Sequence, residues 1–441
     1  MSREMKDSGV KWIGMIPKEW KVVRVKNKYS CNKLIAGRES EKYERLSLTM
    51  NGVLKRSKED NNGLQPEKFE GYQILKEKEL VFKLIDLENI ATSRVGLSPY
   101  TGLVSPAYIV LHNNSETEFG YYYFISMYYQ EIFNKLGGDG VRSNLNVKDL
   151  LEIPYIEIDD NEKRLIVNYL NEKVSQIDTV IQKQTRLIEE YKNYKQALIT
   201  EIVTKGLNPN VEMKDSGIEW IGKVPRHWKL QKVKYIFEIK KEIANETGID
   251  ILSVTQSGIK IKDISKNEGQ LAQDYSKYQR VNRNDFVMNH MDLLTGWVDC
   301  SKYEGVTSPD YRVFRLKNEE IYNKEYYKYI LQICYLNKIF YGLGQGVSTL
   351  GRWRLQTESF LNFVMPIPTR EEQNMIVKNI EEKFNRIDKL IEDKCLLIKE
   401  LETYKKSLIY EYVTGKKEIR STYKANDIET LEEVAVTNEK N

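Results

Sequence analysis

At 441 residues the chain is about three times the usual single-domain length, so more than one folding unit is expected. A composition that is 41% hydrophobic and 30% charged excludes a disordered chain. The 68 Lys and Arg against 64 Asp and Glu leave a net charge of +4, too little to announce a nucleic-acid binder. No apolar run reaches the roughly 18 residues of a membrane span, and the opening residues carry no apolar signal core, which predicts a cytoplasmic protein. Cys31, Cys300, Cys334 and Cys395 lie far apart with no Cys-x-x-Cys pair, so reduced thiols are expected rather than zinc.

The chain opens on Met5-Lys6-Asp7-Ser8-Gly9-x-x-Trp12-Ile13-Gly14-x-x-Pro17-x-x-Trp20-Lys21. The same segment returns 208 residues later as Met213 to Lys229, with 11 of 17 positions identical and four of the six tryptophans included. Two further landmarks recur in order. Leu46-Ser47-Leu48-Thr49-x-x-Gly52-Val53 is matched by Leu252-Ser253-Val254-Thr255-x-x-Gly258-Ile259. Gly102-x-x-Ser105-Pro106-x-Tyr108 is matched by Gly305-x-x-Ser308-Pro309-x-Tyr311. The halves are homologous, and the sequence between the landmarks has drifted, as expected of one scaffold carrying two specificities.

Within each half, Leu80–Phe82 with its charged flanks and Tyr108–Leu111 have strand composition, and Gly71-Tyr72 and Gly137-Gly138-Asp139-Gly140 read as turns. The aromatic stretch from Gly120 to Leu136 predicts a helix buried on a sheet. These features predict α+β globular parts. Each half then closes on a heptad pattern: Leu170, Ile177, Tyr191 and Leu198 on one track, broken by Gln184, and Val167, Val174, Ile181, Ile188 and Ile202 on the other, broken by Lys195. A shift of 210 gives Ile380, Ile387, Leu401 and Leu408, broken by Lys394, then Val377, Phe384, Ile391, Ile398 and Tyr412, broken by Lys405. Matched length and matched breaks favour pairing of the two helices with each other; separate packing of each on its own globular part is the alternative. Pro154 and Pro366-Ile367-Pro368 close the globular parts, Thr369-x-x-Glu372 has the form of a capping box, and Gly206 and Gly415 end the helices. The expected organisation is therefore a globular part over 1–158, a helix over 159–206, a second globular part over 207–368, a second helix over 369–416 and a poorly ordered tail over 417–441.

Catalytic signatures are missing. The chain has no Gly-x-x-x-x-Gly-Lys-[Ser/Thr] phosphate loop, no Gly-x-Gly-x-x-Gly fingerprint, no His-Glu-x-x-His and no Asn-Pro-Pro-aromatic tetrad. Of the three histidines His112, His227 and His290, the first two have no histidine at the repeat-equivalent position. A dispersed acidic nuclease site has no crisp signature and stays open.

The repeated Trp-Ile-Gly-x-[Ile/Val]-Pro-x-x-Trp opening, the Gly-x-x-Ser-Pro-x-Tyr landmark and the closing heptad helices together resemble the specificity subunit of type I restriction–modification enzymes, over the chain to about residue 416. The resemblance implies two target-recognition domains joined by two long helices in an antiparallel coiled coil, with pseudo-twofold internal symmetry. It implies double-stranded DNA with a bipartite site as ligand, each domain reading one part. It also implies assembly with two methyltransferase subunits and two restriction–translocase subunits. S-adenosylmethionine, ATP and magnesium would belong to those partners, leaving this chain without a cofactor, a metal or a catalytic residue of its own. The helices would set the spacer between the two parts of the site.

Base edges are read by Arg or Lys on guanine and Asn or Gln on adenine, while flanking cations hold phosphates. Lys55, Arg56 and Lys58 follow the Leu-Ser-Leu-Thr landmark, and Lys260 and Lys262 follow its repeat. They are candidate phosphate contacts or else a solvated strand edge. The glycine-rich stretches 137–144 and 342–349 put Arg142, Asn144 and Gln345 where a backbone can approach DNA, or form tight turns. A looser third pair sets Asn89, Ser93 and Arg94 against Asn289, His290 and Asp292; His290 is equally readable as a buried, hydrogen-bonded histidine. Trp12, Trp20, Trp220 and Trp228 are identical across halves that should read different bases, which favours locking each domain to the helices, or docking a partner, over base stacking.

Two other functions compete: a fused restriction–modification enzyme with its own catalytic site, and a coiled-coil scaffold with no DNA role. The first needs motifs the chain lacks. The second leaves the divergence between constant landmarks unexplained.

Overall fold

A computed structural model describes residues 3–60, 66, 68–85, 87, 95–113, 117–136, 144–263, 275–345 and 353–419. The chain divides into two compact units, residues 1–183 with 396–441 and residues 184–395. Both long helices, Asp160–Lys205 and Arg370–Val413, are cut by that division.

The first unit opens on a hairpin, Met5–Asp7 with Met15–Pro17, followed by Lys21–Arg24, which pairs with Pro154–Glu157 just before the first long helix. Pro154 therefore starts a strand that ties the end of the globular part back to its beginning. Between them lie a sheet in the order Gly52–Arg56, Arg45–Thr49, Gly102–Val104, Gln73–Leu75 and a second in the order Ile109–Leu111, Leu80–Phe82, Val95–Leu97. The aromatic stretch forms two helices rather than one, Thr117–Tyr129 and Ile132–Leu136, because Glu131 takes a left-handed φ of 56° between them. Phe119, Tyr123, Phe124 and Phe133 are fully buried on the sheets, with Phe82 and Phe124 edge to face at 5.0 Å.

The second unit repeats the plan with different sheet contacts. Its hairpin is Met213–Asp215 with Lys223–Pro225, and Lys229–Lys232 pairs with Val364–Ile367. A four-stranded sheet runs Phe237–Lys240, Arg312–Leu316, Phe286–Met288, Val298–Cys300, flanked by the pairs Leu252–Thr255 with Gly258–Ile261 and Gln279–Val281 with Gly305–Thr307. The helix Lys324–Leu336, capped by the Asn323 side chain, buries Tyr326, Tyr327 and Ile330 against that sheet. Both units are α+β, as the alternation of short strands with aromatic helical stretches predicts.

Within each unit a stretch of one long helix packs antiparallel on a stretch of the other. In the first unit Tyr169 meets Tyr412 at 4.6 Å between ring centroids, and Lys405 pairs with Asp178 at 2.6 Å. In the second unit Lys195 pairs with Asp388 at 2.6 Å, and Lys394 donates to Gln184 at 3.2 Å. The polar breaks in the heptads are thus the partners of one another or of a neighbouring carboxylate, an arrangement that holds register. The apolar seam positions Leu170, Ile177, Ile380 and Leu408 are buried, and they join the domain cores, so the helices pack both on each other and on the globular parts. Thr369 and Glu372 form the expected capping box: each backbone N–H is hydrogen-bonded by the other's side chain, at 3.0 and 3.3 Å. Gly206 and Gly415 end the helices with φ of 77° and 69°. Of the expected tail, residues 420–441 lie outside the described residues, whereas Lys417 pairs with Glu411 at 2.7 Å and Ile419 packs on the first core.

Candidate nucleic-acid interface

The Leu-Ser-Leu-Thr landmark and its repeat are β-hairpins of one design. Leu48 faces Val53 in one and Val254 faces Ile259 in the other, around two-residue loops. Thr49 Oγ1 donates to the Gly52 carbonyl at 2.9 Å, and Thr255 Oγ1 does the same to Gly258 at 2.9 Å. Gly52 and Gly258 have φ of 88° and 98°, which accounts for the invariant glycine. The outward positions then differ. Lys260 stands where the first hairpin has Leu54, and both are exposed. Lys262 stands where the first has Arg56, and its backbone N–H donates to the Ile251 carbonyl at 2.7 Å.

The first cationic group is engaged by local partners. Lys55 is exposed, pairs with Glu44 at 2.6 Å and lies 5.1 Å over Tyr100; the Glu44 carboxylate raises its pKa. Arg56 pairs with Asp60 at 2.7 Å. Lys58 donates to the Ser40 carbonyl at 2.9 Å, holding the turn of residues 37–42. Of the glycine-rich and loop candidates, Arg94 and Arg142, with Asn89 and Ser93, lie outside the described residues. Asn144 is exposed and is followed by Leu145, whose N–H donates to Leu84 at 2.9 Å.

In the second unit the candidates Asn289, His290 and Gln345 converge. Gln345 and Arg354 exchange backbone hydrogen bonds at 3.0 and 3.1 Å, and Leu355 N–H donates to the His290 carbonyl at 2.9 Å. The Asn289 carbonyl accepts from Tyr335 at 2.8 Å. Among the described residues, buried His290 Nδ1 has no hydrogen-bond partner; burial first, then the charges of Arg312 and Arg354, lowers its pKa from 6.5 to about 4. The imidazole is therefore neutral at pH 7. Arg312 is 5% exposed, donates to the Leu355 carbonyl at 3.0 Å and stacks on Phe360 at 4.8 Å; burial lowers its pKa to about 10. It follows the Ser-Pro-x-Tyr landmark where the first repeat has Ile109. That single cation-for-apolar exchange next to a constant landmark was its only signal in the sequence.

The landmarks themselves prove structural. Gln73 and Gln279, both buried, donate to the Tyr108 and Tyr311 carbonyls at 2.7 Å and also to the Ser105 and Ser308 carbonyls, stapling the two Ser-Pro turns. A Cβ on Gly102 or Gly305 would lie 2.6 or 2.5 Å from the carbonyl of Glu44 or Asp250, so only glycine admits the crossing. The tryptophans form two clamps. Trp20 donates to Glu162 at 2.9 Å and packs on Gly415; Trp228 donates to Glu372 at 3.2 Å and packs on Gly206. Each indole thus joins the start of one long helix to the end of the other within its unit. Burial opposes ionisation of Glu372, but the hydrogen bonds from His227, Thr369 and Trp228 prevail and lower its pKa. Trp12 packs on Tyr123 at 5.5 Å and Trp220 stacks on Phe363 at 5.3 Å. Glu162 and the glutamines were overlooked in the sequence, and Glu372 was read only as a helix cap, although Glu162 and Glu372 recur at the helix offset of 210.

Among the described residues no group of three His, Cys, Asp or Glu side chains is placed to hold a metal, and no helix is long and apolar enough to cross a membrane. What the geometry offers is a pair of equivalent hairpins with unlike outward side chains, and in the second unit two arginines, Arg312 and Arg354, around the neutral His290.

No family model matches the chain. Solved structures do. The chain is similar to one from a complex solved for the structural basis of complex assembly and conformational transition of the type I R-M system: TM-score 0.64, 12% identity, 91% of this chain and 99% of that one. The HsdS subunit from Thermoanaerobacter tengcongensis matches at TM-score 0.47 and 12% identity, over 91% of this chain and 98% of that one. The S subunit of a type I restriction–modification system from M. genitalium matches at 0.35 and 12%, over 89% and 96%. The latter two superpose too loosely to bear on the fold. The first, at 12% identity, speaks for the fold alone: two α+β domains joined by two long helices, shared along nearly the whole of both chains.

Proposed function

We propose that this chain is the sequence-recognition subunit of a type I restriction–modification complex. Each unit reads one part of a split, asymmetric double-stranded site, and the paired helices set the spacer. Two methyltransferase and two restriction–translocase subunits assemble on it in the cytoplasm and carry S-adenosylmethionine, ATP and magnesium, while this chain performs no reaction. The observation that carries the reading is the contrast inside the repeat. Hairpin turns, stapled Ser-Pro loops and tryptophan clamps are the same twice, whereas the residues at equivalent positions are not: exposed Leu54 against exposed Lys260, and buried Ile109 against buried Arg312. A scaffold serving one ligand twice has no use for that contrast; a reader of two unlike half-sites requires it. End-to-end similarity to a chain of a type I system supports the same reading. The test is methylome sequencing of the host with and without the gene, with a gel shift of the chain and its methyltransferase on the site so found. Loss of one bipartite adenine mark, and binding that weakens steeply with salt, are expected. An unchanged methylome would overturn the reading.

A further inference from the structure

The two long helices end alike: Leu198-Ile199-Thr200-Glu201-Ile202-Val203-Thr204 is matched by Leu408-Ile409-Tyr410-Glu411-Tyr412-Val413-Thr414. The exchange of Thr200 for Tyr410 changes what lies beneath the Trp-Ile-Gly turn. In the first unit the Tyr410 hydroxyl lies 3.2 Å from the Trp12 carbonyl and 3.3 Å from that of Ile13, within donating distance of both. Lys406, one turn earlier, lies 5.5 Å over the Tyr129 ring. Lys416 Nζ also donates to the Ile13 carbonyl, at 2.5 Å, and lies 4.6 Å over the Tyr410 ring, so the first unit fills this place with its own phenol and the ammonium above it.

In the second unit the same positions hold Thr200 and Gln196, which are too short to reach the turn. Both are tied instead to Asn337: Gln196 Nε2 donates to Asn337 Oδ1 at 2.7 Å, and Asn337 Nδ2 donates to Thr200 Oγ1 at 3.0 Å. A groove of about 610 Å³ remains, lined by Asn193, Gln196, Thr200, Glu201, Trp220 and Asn337. Among the described residues, none donates a hydrogen bond to the carbonyls of Trp220 and Ile221, the counterparts of Trp12 and Ile13. Among the described residues, the buried Nε1 of Trp220, whose side chain helps to line the groove, has no hydrogen-bond partner. Unpaired acceptors at an aromatic wall are what a phenol satisfies, since tyrosine combines a flat apolar body with a hydroxyl at its tip. Tyrosine is also among the side chains that most often anchor protein interfaces.

We propose that this groove is a docking socket for a tyrosine-bearing segment of a partner protein, whose phenol does in the second unit what Tyr410 does in the first. The proposal rests on the reading of the chain as an assembly subunit, with its methyltransferase as the partner. Because the first unit carries its own plug, two copies of that partner engage unlike surfaces, one with a socket and one without.

Thr200→Tyr in the full chain should close the socket by copying the first unit, and Gln196→Lys copies the neighbouring wall residue as a second variant. Ligand-observed NMR with p-cresol, the tyrosine side chain as a free molecule, should give saturation transfer with the unaltered chain and lose it with either variant. Native mass spectrometry should show the methyltransferase subunit bound to all three proteins, since a plugged unit also takes a copy, and its complex with the unaltered chain should give no p-cresol transfer, because the partner's tyrosine then holds the socket. Equal p-cresol transfer in all three proteins, or transfer undiminished when the methyltransferase is bound to the unaltered chain, overturns the socket. Transfer that is lost as expected, with no methyltransferase bound to any of the three, supports the socket while removing the assembly reading on which its partner rests.

Discussion

Trp228 is 1% exposed and its N–H reaches Glu372, so it couples a large apolar burial to a hydrogen bond that closes the start of the second long helix. Trp228→Ala should cost about 3–5 kcal/mol in urea unfolding, the range for emptying an aromatic core site. His290 gives a pH signature of its own. Its pKa falls from 6.5 to about 4 on folding, so above pH 6.5 it is neutral in both states and adds no pH dependence. Between those values the unfolded chain binds a proton that the folded chain refuses, and stability falls as pH falls; below about 4 that loss is complete. His290→Gln should flatten this part of the curve, as read from urea midpoints at pH 7 and 4.5, because the hydrogen bond from Leu355 uses the backbone carbonyl and survives the change. The cationic candidates separate by their partners. Lys58 holds the Ser40 carbonyl, so Lys58→Ala should lower the melting temperature; exposed Lys260, if it holds a phosphate, should leave melting unchanged on substitution by alanine. Lys260→Ala should instead reduce the salt slope of DNA binding by about one.

At the scale of elements, the long helices were legible because five heptads average over local accidents, and their interruptions proved informative. Lys195 and Lys405 break the apolar track in order to pair with Asp388 and Asp178, which stand 210 residues apart, as the lysines do. The strands were less legible. Many are three residues long, too short for alternation to show, and they are held by contacts distant in sequence: Lys21–Arg24 finds its partner at Pro154–Glu157. The stapling glutamines carry no local signal either, since a buried glutamine is recognised only once the carbonyls it reaches are in place. The same seam yields a prediction about unequal partners. The Lys195 ammonium lies 4.2 Å from the Phe384 ring centroid as well as pairing with Asp388, whose side chain is largely exposed. Asp388→Ala should therefore cost at most ~1 kcal/mol, the range of exposed ion pairs. Lys195→Ala should cost more, by roughly the 0.5–1 kcal/mol of a partly exposed cation–π contact. Urea midpoints of the two variants and their double mutant would measure the difference.

At the scale of the whole molecule, the proposed spacer depends on residue count. Removing residues 183–189 and 393–399, one heptad from corresponding places in each helix, takes out about 10.5 Å of helix at 1.5 Å per residue. The seam survives, because seven residues return a helix to nearly the same face, with a drift of only about 20°. At roughly 3.4 Å per base pair, 10.5 Å corresponds to about three base pairs. Three base pairs also turn the duplex by about 100°, given a helical repeat of 10–10.5 base pairs. The shortened chain should therefore recognise the same two half-sites with a spacer about three base pairs shorter, and more weakly, because the DNA must twist to present both on one face. Selection from a library with randomised spacer length would read both effects at once. Recovery of the original spacer by the shortened chain would mean that the helices hold the complex together without setting the distance.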